Sequence, residues 1–440
     1  MLAASFRDHN PDARFSAVVI DDPEGEIGPG EPFEVLRPQD LGLDGQEVHR
    51  RATMYTAQAF TSSLKPNALE ALLHRDGEPV VLLDADGCVY ASLDPVAERA
   101  ERHSVVVTPQ SLDPQPATDD FAPERTLVAG GPMNGGFVAV GAGAERFLEW
   151  WAQRTRRHCI YLRQAGLAYS EAWLTLVPAL FDHHVLRDDR GCNVMGWSLH
   201  IRDIEWDGDV PMIDGGRLRH FHFASSFDPE RPHLLAAYQA EHRGWWPLPA
   251  ERPGMARLCR EYAAQLLANG YREERSVSPR YASMPDGTAI EPRMRELYRS
   301  ALVSSESGDE PEPQNPFADG PQRFLDWARE RESAPATRPA PALPDAALGD
   351  IGRAMAELDR LRTDEEARRE ETEAWRTQAE NWREAFEAER AARIGAEHDA
   401  VQTRERAGYI ERSMSWRVTR PLRWAAAAAR RVRAARARRR

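Results

Sequence analysis

The amino-acid sequence predicts an α/β fold, a mostly parallel sheet flanked by helices. Apolar runs typical of buried strands occur in FSAVVIDD (Phe15–Asp22) and in VVLLD (Val80–Asp84), and both are expected to be interior strands. Between them, Val48–His74 carries apolar residues at helical spacing. Such alternation is typical of a parallel sheet, and it places the ligand site beyond the carboxyl ends of the strands.

The remaining elements follow the same alternation. Leu2–His9 has the pattern of the helix of a βα unit without its preceding strand, so we expect the first strand of the fold to be missing. Further strands are expected at Ser104–Thr108, Gly136–Val140, His184–Leu186 and Leu218–Phe223, and further helices at Ala144–Arg157, Ala256–Asn269 and Glu291–Ser304.

Composition divides the chain into four parts, and we expect globular packing to end near residue 305. The expected parts are a globular domain (1–305), a proline-rich linker with a short helix at Arg323–Arg331 (306–349), a coiled-coil stalk (350–412) and a basic amphipathic tail (413–440).

The stalk has apolar residues at three-and-four spacing, which favours a long helix or coiled coil. Glu365 and Arg368 interrupt this seam, so a single solvated helix and a homodimer both remain open. The tail holds ten arginines and no acidic residue, although the net charge of the whole chain is −13. We therefore expect the tail to bind an anionic membrane surface; a disordered tail, or one that docks on acidic neighbours, is the alternative.

Several classes of protein are disfavoured by composition. The acidic body is a poor nucleic-acid binder. The four cysteines have no CxxC spacing, which argues against a zinc knuckle and a disulfide framework. No apolar run reaches the ~20 residues of a membrane span, and no secretion signal precedes Phe15. We expect a cytoplasmic protein, peripheral on the inner face of the membrane.

The clearest chemical signal is Asp84-Ala85-Asp86 at the end of the VVLLD strand. Two carboxylates at a strand tip can bind a hard divalent cation that keeps positions open for phosphate oxygens, although the same pattern also ends strands in solvated turns. His220 and His222 alternate along a strand and share one face, where an imidazole would complete the site or simply be a structural histidine. Lys65 is the only lysine among 57 basic residues, which suggests a contact that needs a point charge, although a chance survivor in an arginine-biased composition is the alternative.

Six blocks occur in order along the chain: LKP at Leu64–Pro66, LLDADGCVY at Leu82–Tyr90, MNGGFVAV at Met133–Val140, LVPALF at Leu176–Phe181, GCNV at Gly191–Val194 and HFHFASSFDP at His220–Pro229. With these blocks, Arg14 to about Ser304 resembles bacterial glycosyltransferases of the GT-A type, akin to the family-eight retaining enzymes. The resemblance implies a GT-A-like nucleotide-diphospho-sugar transferase that acts on a nucleotide-sugar donor and a glycan or lipid-linked acceptor.

The resemblance also implies roles for individual residues. Asp84, Asp86 and His222 would hold Mn²⁺ or Mg²⁺, while Asp86 and Glu171 would take part in catalysis. Glu171 stands one place from the acid of the family's Asp-Gln pair, and an ordinary surface glutamate is the alternative reading. The donor-binding residues that the resemblance implies are Lys65, Asp84, Asn134, Gly135, Asn193 and Arg231.

Three functions from different classes remain open at this point. The first is a metal-dependent glycosyltransferase in cell-envelope or surface glycan synthesis. The second is a non-catalytic nucleotide-sugar-binding or scaffold protein derived from such an enzyme. The third is a metal-dependent phosphohydrolase.

Overall fold

A computed structural model describes residues 1–333 except 22–26, 28–29, 116–123, 163–166, 224–226, 237–247 and 276. The stalk, the tail and the linker beyond residue 333 lie outside the described residues, so the coiled-coil and basic-tail expectations stay predictions. Within the described part, helices and strands alternate in a mixed α/β architecture.

The strands are β1 Ser16–Val18, β2 Glu34–Leu36, β3 Val80–Leu83, β4 Gly87–Val89, β5 Val105–Pro109, β6 Met133–Val140, β7 Tyr161–Leu162, β8 Leu167–Ala168, β9 His184–Val185, β10 Val194–Met195, β11 Ile204–Asp207, β12 Val210–Ile213, β13 Gly216–Arg217 and β14 His220–His222. The helices are α1 Leu2–His9, α2 Gly45–Met54, α3 Ala57–Ser63, α4 Lys65–Asp76, α5 Asp94–Arg102, α6 Glu124–Gly130, α7 Glu145–His158, α8 Glu171–Leu174, α9 Val177–Leu180, α10 Pro253–Ala268, α11 Tyr271–Glu274, α12 Pro292–Glu306 and α13 Pro321–Ser333.

The central sheet has the strand order β3-β6-β5-β9. The sequence predicts a mostly parallel sheet, and this prediction is wrong for the central sheet. Strands β3, β5 and β9 run in one direction, but β6 lies between β3 and β5 and pairs antiparallel with both. Within this sheet, as far as the structure describes it, only the β5–β9 pairing is parallel. The reversal of β6 has a functional consequence, because it brings the beginning of β6 next to the carboxyl end of β3.

Strands β1 and β3 are not interior strands, contrary to the expectation from their apolar sequences. In the described part of the chain, β1 pairs with β2 alone and β3 pairs with β6 alone. The Asp84 N–H donates to the Gly136 carbonyl at 2.8 Å, so alternate residues of β3 turn their backbone groups toward β6. The backbone groups of Val81 and Leu83 therefore point to the outer edge.

A second sheet, with the order β10-β14-β4, stands next to the carboxyl end of β3. Its strand β4 begins just after the Asp84–Asp86 turn, and β14 pairs antiparallel with β4, which sets His222 opposite Gly87. The segment expected as one strand at Leu218–Phe223 is thus shorter, and β13 belongs to a separate hairpin sheet. This pairing carries a distant histidine to the aspartate turn.

The region of helical spacing at Val48–His74 forms three helices. Helix α2 ends at Tyr55, which is extended, and Thr56 then caps α3 by accepting from the Ala59 N–H. Helix α4 starts directly after Leu64 with Pro66 in its first turn. Proline lacks an N–H and is favoured at such a start, so the helix boundary places Lys65 at the amino end of α4.

Packing continues beyond residue 305, where the sequence predicts that it stops. Phe324 of α13 is fully buried in the same apolar cluster as Phe60 and Tyr298. Asn315 donates to Thr53 Oγ1 at 3.0 Å and to the Tyr298 hydroxyl at 2.8 Å. Residues 306–333 therefore belong to the same compact unit as the sheets.

Two further observations concern the cysteines and the helices. The four cysteines are buried as free thiols. Among the described residues, no helix combines the length and the apolar character that crossing a bilayer requires.

Candidate metal centre

The candidate site begins where β3 ends. The Asp84 backbone is the last hydrogen-bonded to β6, and the chain then turns through Ala85 and Asp86 into β4. The Asp86 carbonyl accepts from the Phe223 N–H at 2.9 Å, which fixes the turn against the end of β14. Both aspartate side chains stay partly accessible, with 32% of Asp84 and 25% of Asp86 exposed.

His222 completes a three-residue cluster with the aspartates. One ligand atom from each of Asp84, Asp86 and His222 lies within 4.8 Å of the others, as the sequence predicts for a metal site. His222 Nε2 is 3.0 Å from Asp86 Oδ1, and its buried Nδ1 has no hydrogen-bond partner in the described part of the chain. Two carboxylates and one imidazole suit Mn²⁺ and also Mg²⁺.

Lys65 lies at the same site. Its ammonium is 2.6 Å from Asp84 Oδ1 and donates to the Gly135 carbonyl at 2.9 Å, and only 10% of its side chain is exposed. Lys65 thus meets a carboxylate at close range, while its implied contact with a donor stays a prediction. The ammonium acts here as a point charge on one carboxylate oxygen and one carbonyl.

The charges in this cluster support one another. Burial disfavours the charge of both Asp86 and His222, but their mutual attraction outweighs it, so the pKa of Asp86 is lowered and the pKa of His222 is raised. Burial likewise disfavours the Lys65 ammonium, and the nearby Asp84 outweighs this and raises the pKa of Lys65. The cluster is thus an ionic centre in which each charge depends on its neighbours.

Glu171 is the first residue of α8 and faces this centre. Its Oε1 accepts from the Gly135 N–H at 3.3 Å, and it is only partly exposed, so it is not an ordinary surface glutamate. Burial is the largest influence on this carboxyl group and raises the pKa of Glu171, while Lys65 acts in the opposite direction. A carboxylate held here can stabilise positive charge that develops on a bound substrate.

Two glycines of β6 form the floor of the site. A Cβ on Gly135 would lie 2.7 Å from Glu171 Cγ, and one on Gly136 would lie 2.6 Å from Asp84 Oδ2. Side chains at these positions would displace the carboxylates, so the NGG segment is needed for the close approach of α8 and β3 to β6.

Asn134 and Asn193 meet beside this floor. Asn193 donates to Asn134 Oδ1 at 3.1 Å and to Thr108 Oγ1 at 2.7 Å, and its φ of 46° places it in the left-handed region that asparagine tolerates. Asn134 Oδ1 also accepts from the Gly136 N–H at 3.0 Å. The buried Asn193 Oδ1 has no partner among the described residues, so this pair can still accept a hydrogen bond.

Sequence reasoning missed Gln110 and Trp197. The Trp197 indole N–H donates to Gln110 Oε1 at 3.0 Å, and its ring packs edge-on against His222 at 5.9 Å between centroids. Asn134 approaches the same glutamine oxygen at 3.4 Å. The two residues join the amide cluster to the histidine, and no local motif marks either of them.

Arg231 and His220 are two further residues that the sequence singles out. Arg231 is exposed on the turn after Asp228, and no described contact joins its side chain to the aspartates or to His222, so its role in donor binding stays a prediction. His220 and His222 are both buried, and neither ring nitrogen of His220 has a partner among the described residues. Burial, with His222 nearby, lowers the pKa of His220 to about 3.

Comparisons of the chain with protein-family models, with curated proteins and with solved structures find no match.

Proposed function

We propose that this protein is a metal-dependent glycosyltransferase of the GT-A-like class, which moves a sugar from a nucleotide-sugar donor to an acceptor hydroxyl. The observation that carries the proposal is the convergence of Asp84, Asp86 and His222 within 4.8 Å at the carboxyl end of a strand. Lys65 adds a cation at 2.6 Å from Asp84. The carboxylates and the imidazole would hold a divalent cation. That cation and the ammonium together suit a diphosphate whose negative charge increases during the reaction.

The chemistry requires little more than this arrangement. The bond from the anomeric carbon to the diphosphate oxygen breaks, the acceptor oxygen forms a new bond to that carbon, and the acceptor proton passes to the departing phosphate oxygen. A bound divalent cation supplies Lewis-acid stabilisation of the diphosphate. Lys65 binds the diphosphate directly, and Glu171 stabilises the positive charge at the anomeric carbon. Asn134, Gly135 and Asn193 orient the sugar, with retention of configuration.

The acceptor and the location belong to the same proposal. We take the acceptor to be a glycan or a lipid-linked glycan of the cell envelope, because an arginine-rich tail over 413–440 would hold the enzyme at an anionic membrane surface. The tail lies outside the described residues. Deletion after Arg412 is expected to move the protein from the membrane to the soluble fraction, and unchanged partitioning would refute the tail's role.

The test of the reaction is a mass-spectrometric screen of nucleotide-sugar donors with Mn²⁺, applied to the purified chain. Asp86→Asn, which keeps the shape of the side chain and removes its charge, should abolish both cation binding and donor turnover. Asp209→Asn is the control, because the Asp209 side chain is 98% exposed. Sugar transfer that depends on Asp86 supports the proposal.

The other outcomes select other functions. Binding of a nucleoside diphosphate with Mn²⁺, but without transfer or hydrolysis of any donor, would favour the non-catalytic sugar-nucleotide-binding protein. The observation that favours this second candidate is the exposed position of Arg231, whose side chain has no described contact with the aspartates. Release of phosphate without sugar transfer would favour a phosphohydrolase.

A further inference from the structure

The position of Lys65 raises a question about the metal centre itself. Its ammonium lies 2.6 Å from Asp84 Oδ1, and Asp84 is one of the three residues whose ligand atoms converge. The other oxygen, Asp84 Oδ2, faces Gly136, where an added Cβ would lie only 2.6 Å away. The carboxylate that a divalent cation needs is thus already bound by an internal cation.

The surrounding charges explain why an ammonium is held there. Asp84 and Asp86 come from the turn after β3, Glu171 from α8, and His222 from β14. Three carboxylates in a partly buried cluster repel one another unless positive charge offsets them. Lys65, at the start of α4, supplies that charge together with His222, and so the aspartates stay in place before a divalent cation arrives.

The structure also gives the ammonium a second holding point. Lys65 donates to the Gly135 carbonyl at 2.9 Å, beside the floor of the site. An ammonium on a flexible stem has three donors and can give up one partner while keeping another. Lys65 can therefore leave Asp84 and remain at the site.

We propose that Lys65 is an exchangeable counter-ion. In the cation-free protein its ammonium pairs with Asp84, and a divalent cation that binds Asp84 displaces it. The released ammonium then binds the diphosphate. The nature of the anion rests on the proposed function, but the exchange with the cation does not. The exchange makes binding ordered. The divalent cation enters first, and the diphosphate binds to a site with both the cation and a free ammonium.

Titration calorimetry on Lys65→Met tests the exchange, with Mg²⁺ as the first probe and pyrophosphate as the second. Removal of the competing charge should tighten Mg²⁺ binding, by about tenfold if the interaction is that of two charges in a partly solvated site. The same variant should bind pyrophosphate more weakly in saturating Mg²⁺. Effects of opposite sign are expected because the lysine opposes the cation and attracts the anion.

Arg99→Met is the matched control, since it removes one positive charge from an arginine paired with Asp188 away from the site. It should change neither affinity, and thermal unfolding of both variants confirms that they are folded. If Lys65→Met binds Mg²⁺ with unchanged or lower affinity than the wild type, the exchange is refuted.

The single lysine permits a direct observation that does not depend on a variant at this position. In protein labelled with ¹⁵N-lysine, one side-chain signal reports on Lys65. Mg²⁺ alone should shift this signal along the binding curve measured by calorimetry, and Asp86→Asn should prevent the shift. If the position of the Lys65 signal does not change when Mg²⁺ binds, the proposal is overturned. Loss of sugar transfer with the shift intact would instead overturn only the proposed function.

Discussion

Gly136→Ala is the substitution that probes the metal centre most selectively. The new Cβ would lie 2.6 Å from Asp84 Oδ2, whereas ordinary contacts begin near 3.4 Å. The atom that must move is the far end of a side chain and not the backbone, so the fold should be retained at a cost of about 1 kcal/mol in the free energy of unfolding.

The functional effect should be larger than the structural one. The Asp84 carboxylate must shift by about 0.8 Å, the difference between those two distances, and metal sites tolerate only a few tenths of an ångström. Displacement of a supporting contact in metal sites typically costs ten- to a hundredfold in affinity. We therefore expect the affinity for Mn²⁺ to fall by about tenfold to a hundredfold.

The assay is Mn²⁺ binding followed by electron paramagnetic resonance of the free ion. Gly45→Ala is the control, because a Cβ on Gly45 meets nothing within 4 Å. If Gly136→Ala is folded by circular dichroism and binds Mn²⁺ as the wild type does, then Asp84 is not a ligand and the reasoning fails.

Three further predictions concern stability. Glu47→Gln should lower the free energy of unfolding by about 3 kcal/mol at pH 7, because it leaves the buried Arg157 without one carboxylate partner. Burial opposes the Glu47 charge, but the attraction of Arg157 outweighs burial, so the pKa of Glu47 is lowered. The contribution of Glu47 to the free energy of unfolding is therefore complete above its unfolded pKa of about 4.5 and is lost as the pH falls through its folded pKa. Urea unfolding should show the deficit at pH 7 and a smaller one at pH 3.5; an equal deficit at both would contradict this. His220→Leu should leave the free energy of unfolding unchanged or raise it by up to about 1 kcal/mol, since no hydrogen bond is lost. Calorimetry should show unchanged Mn²⁺ affinity for this variant, unlike His222→Leu. Phe324→Ala should lower the free energy of unfolding, measured with urea, by about 3–5 kcal/mol, because this side chain is fully buried. A decrease below about 0.5 kcal/mol, which is typical of surface substitutions, would mean that α13 is not part of the core.

Local patterns in the sequence predict the elements well where the periodicity is strong. Helix α1 has the expected bounds, α7 is displaced by one residue at both ends, and β3 ends one residue earlier than expected. These elements depend mainly on their own residues, because side chains three and four apart, or two apart, define one face. The position of the aspartates at the tip of a strand follows from the same local reading.

Features that depend on distant partners could not be predicted in this way. The reversed direction of β6 is a property of the sheet, since an antiparallel and a parallel strand carry the same apolar pattern. The burial of Phe324 requires the surface formed by Phe60 and Tyr298, far earlier in the chain. Gln110 and Trp197 become part of the site only through the folding of two loops, and a glutamine or tryptophan alone carries no motif.

The candidate metal centre draws its residues from two separate sheets. Asp84 ends a strand of the central sheet, while His222 belongs to the second sheet and is far along the chain from the aspartates. A cation held by all three residues would link the two sheets. Its binding free energy would stabilise only molecules in which both sheets are correctly packed. Saturation to a hundred times the dissociation constant would add about 2.7 kcal/mol of resistance to unfolding. Cation supply would then govern the lifetime of the folded protein in the cell.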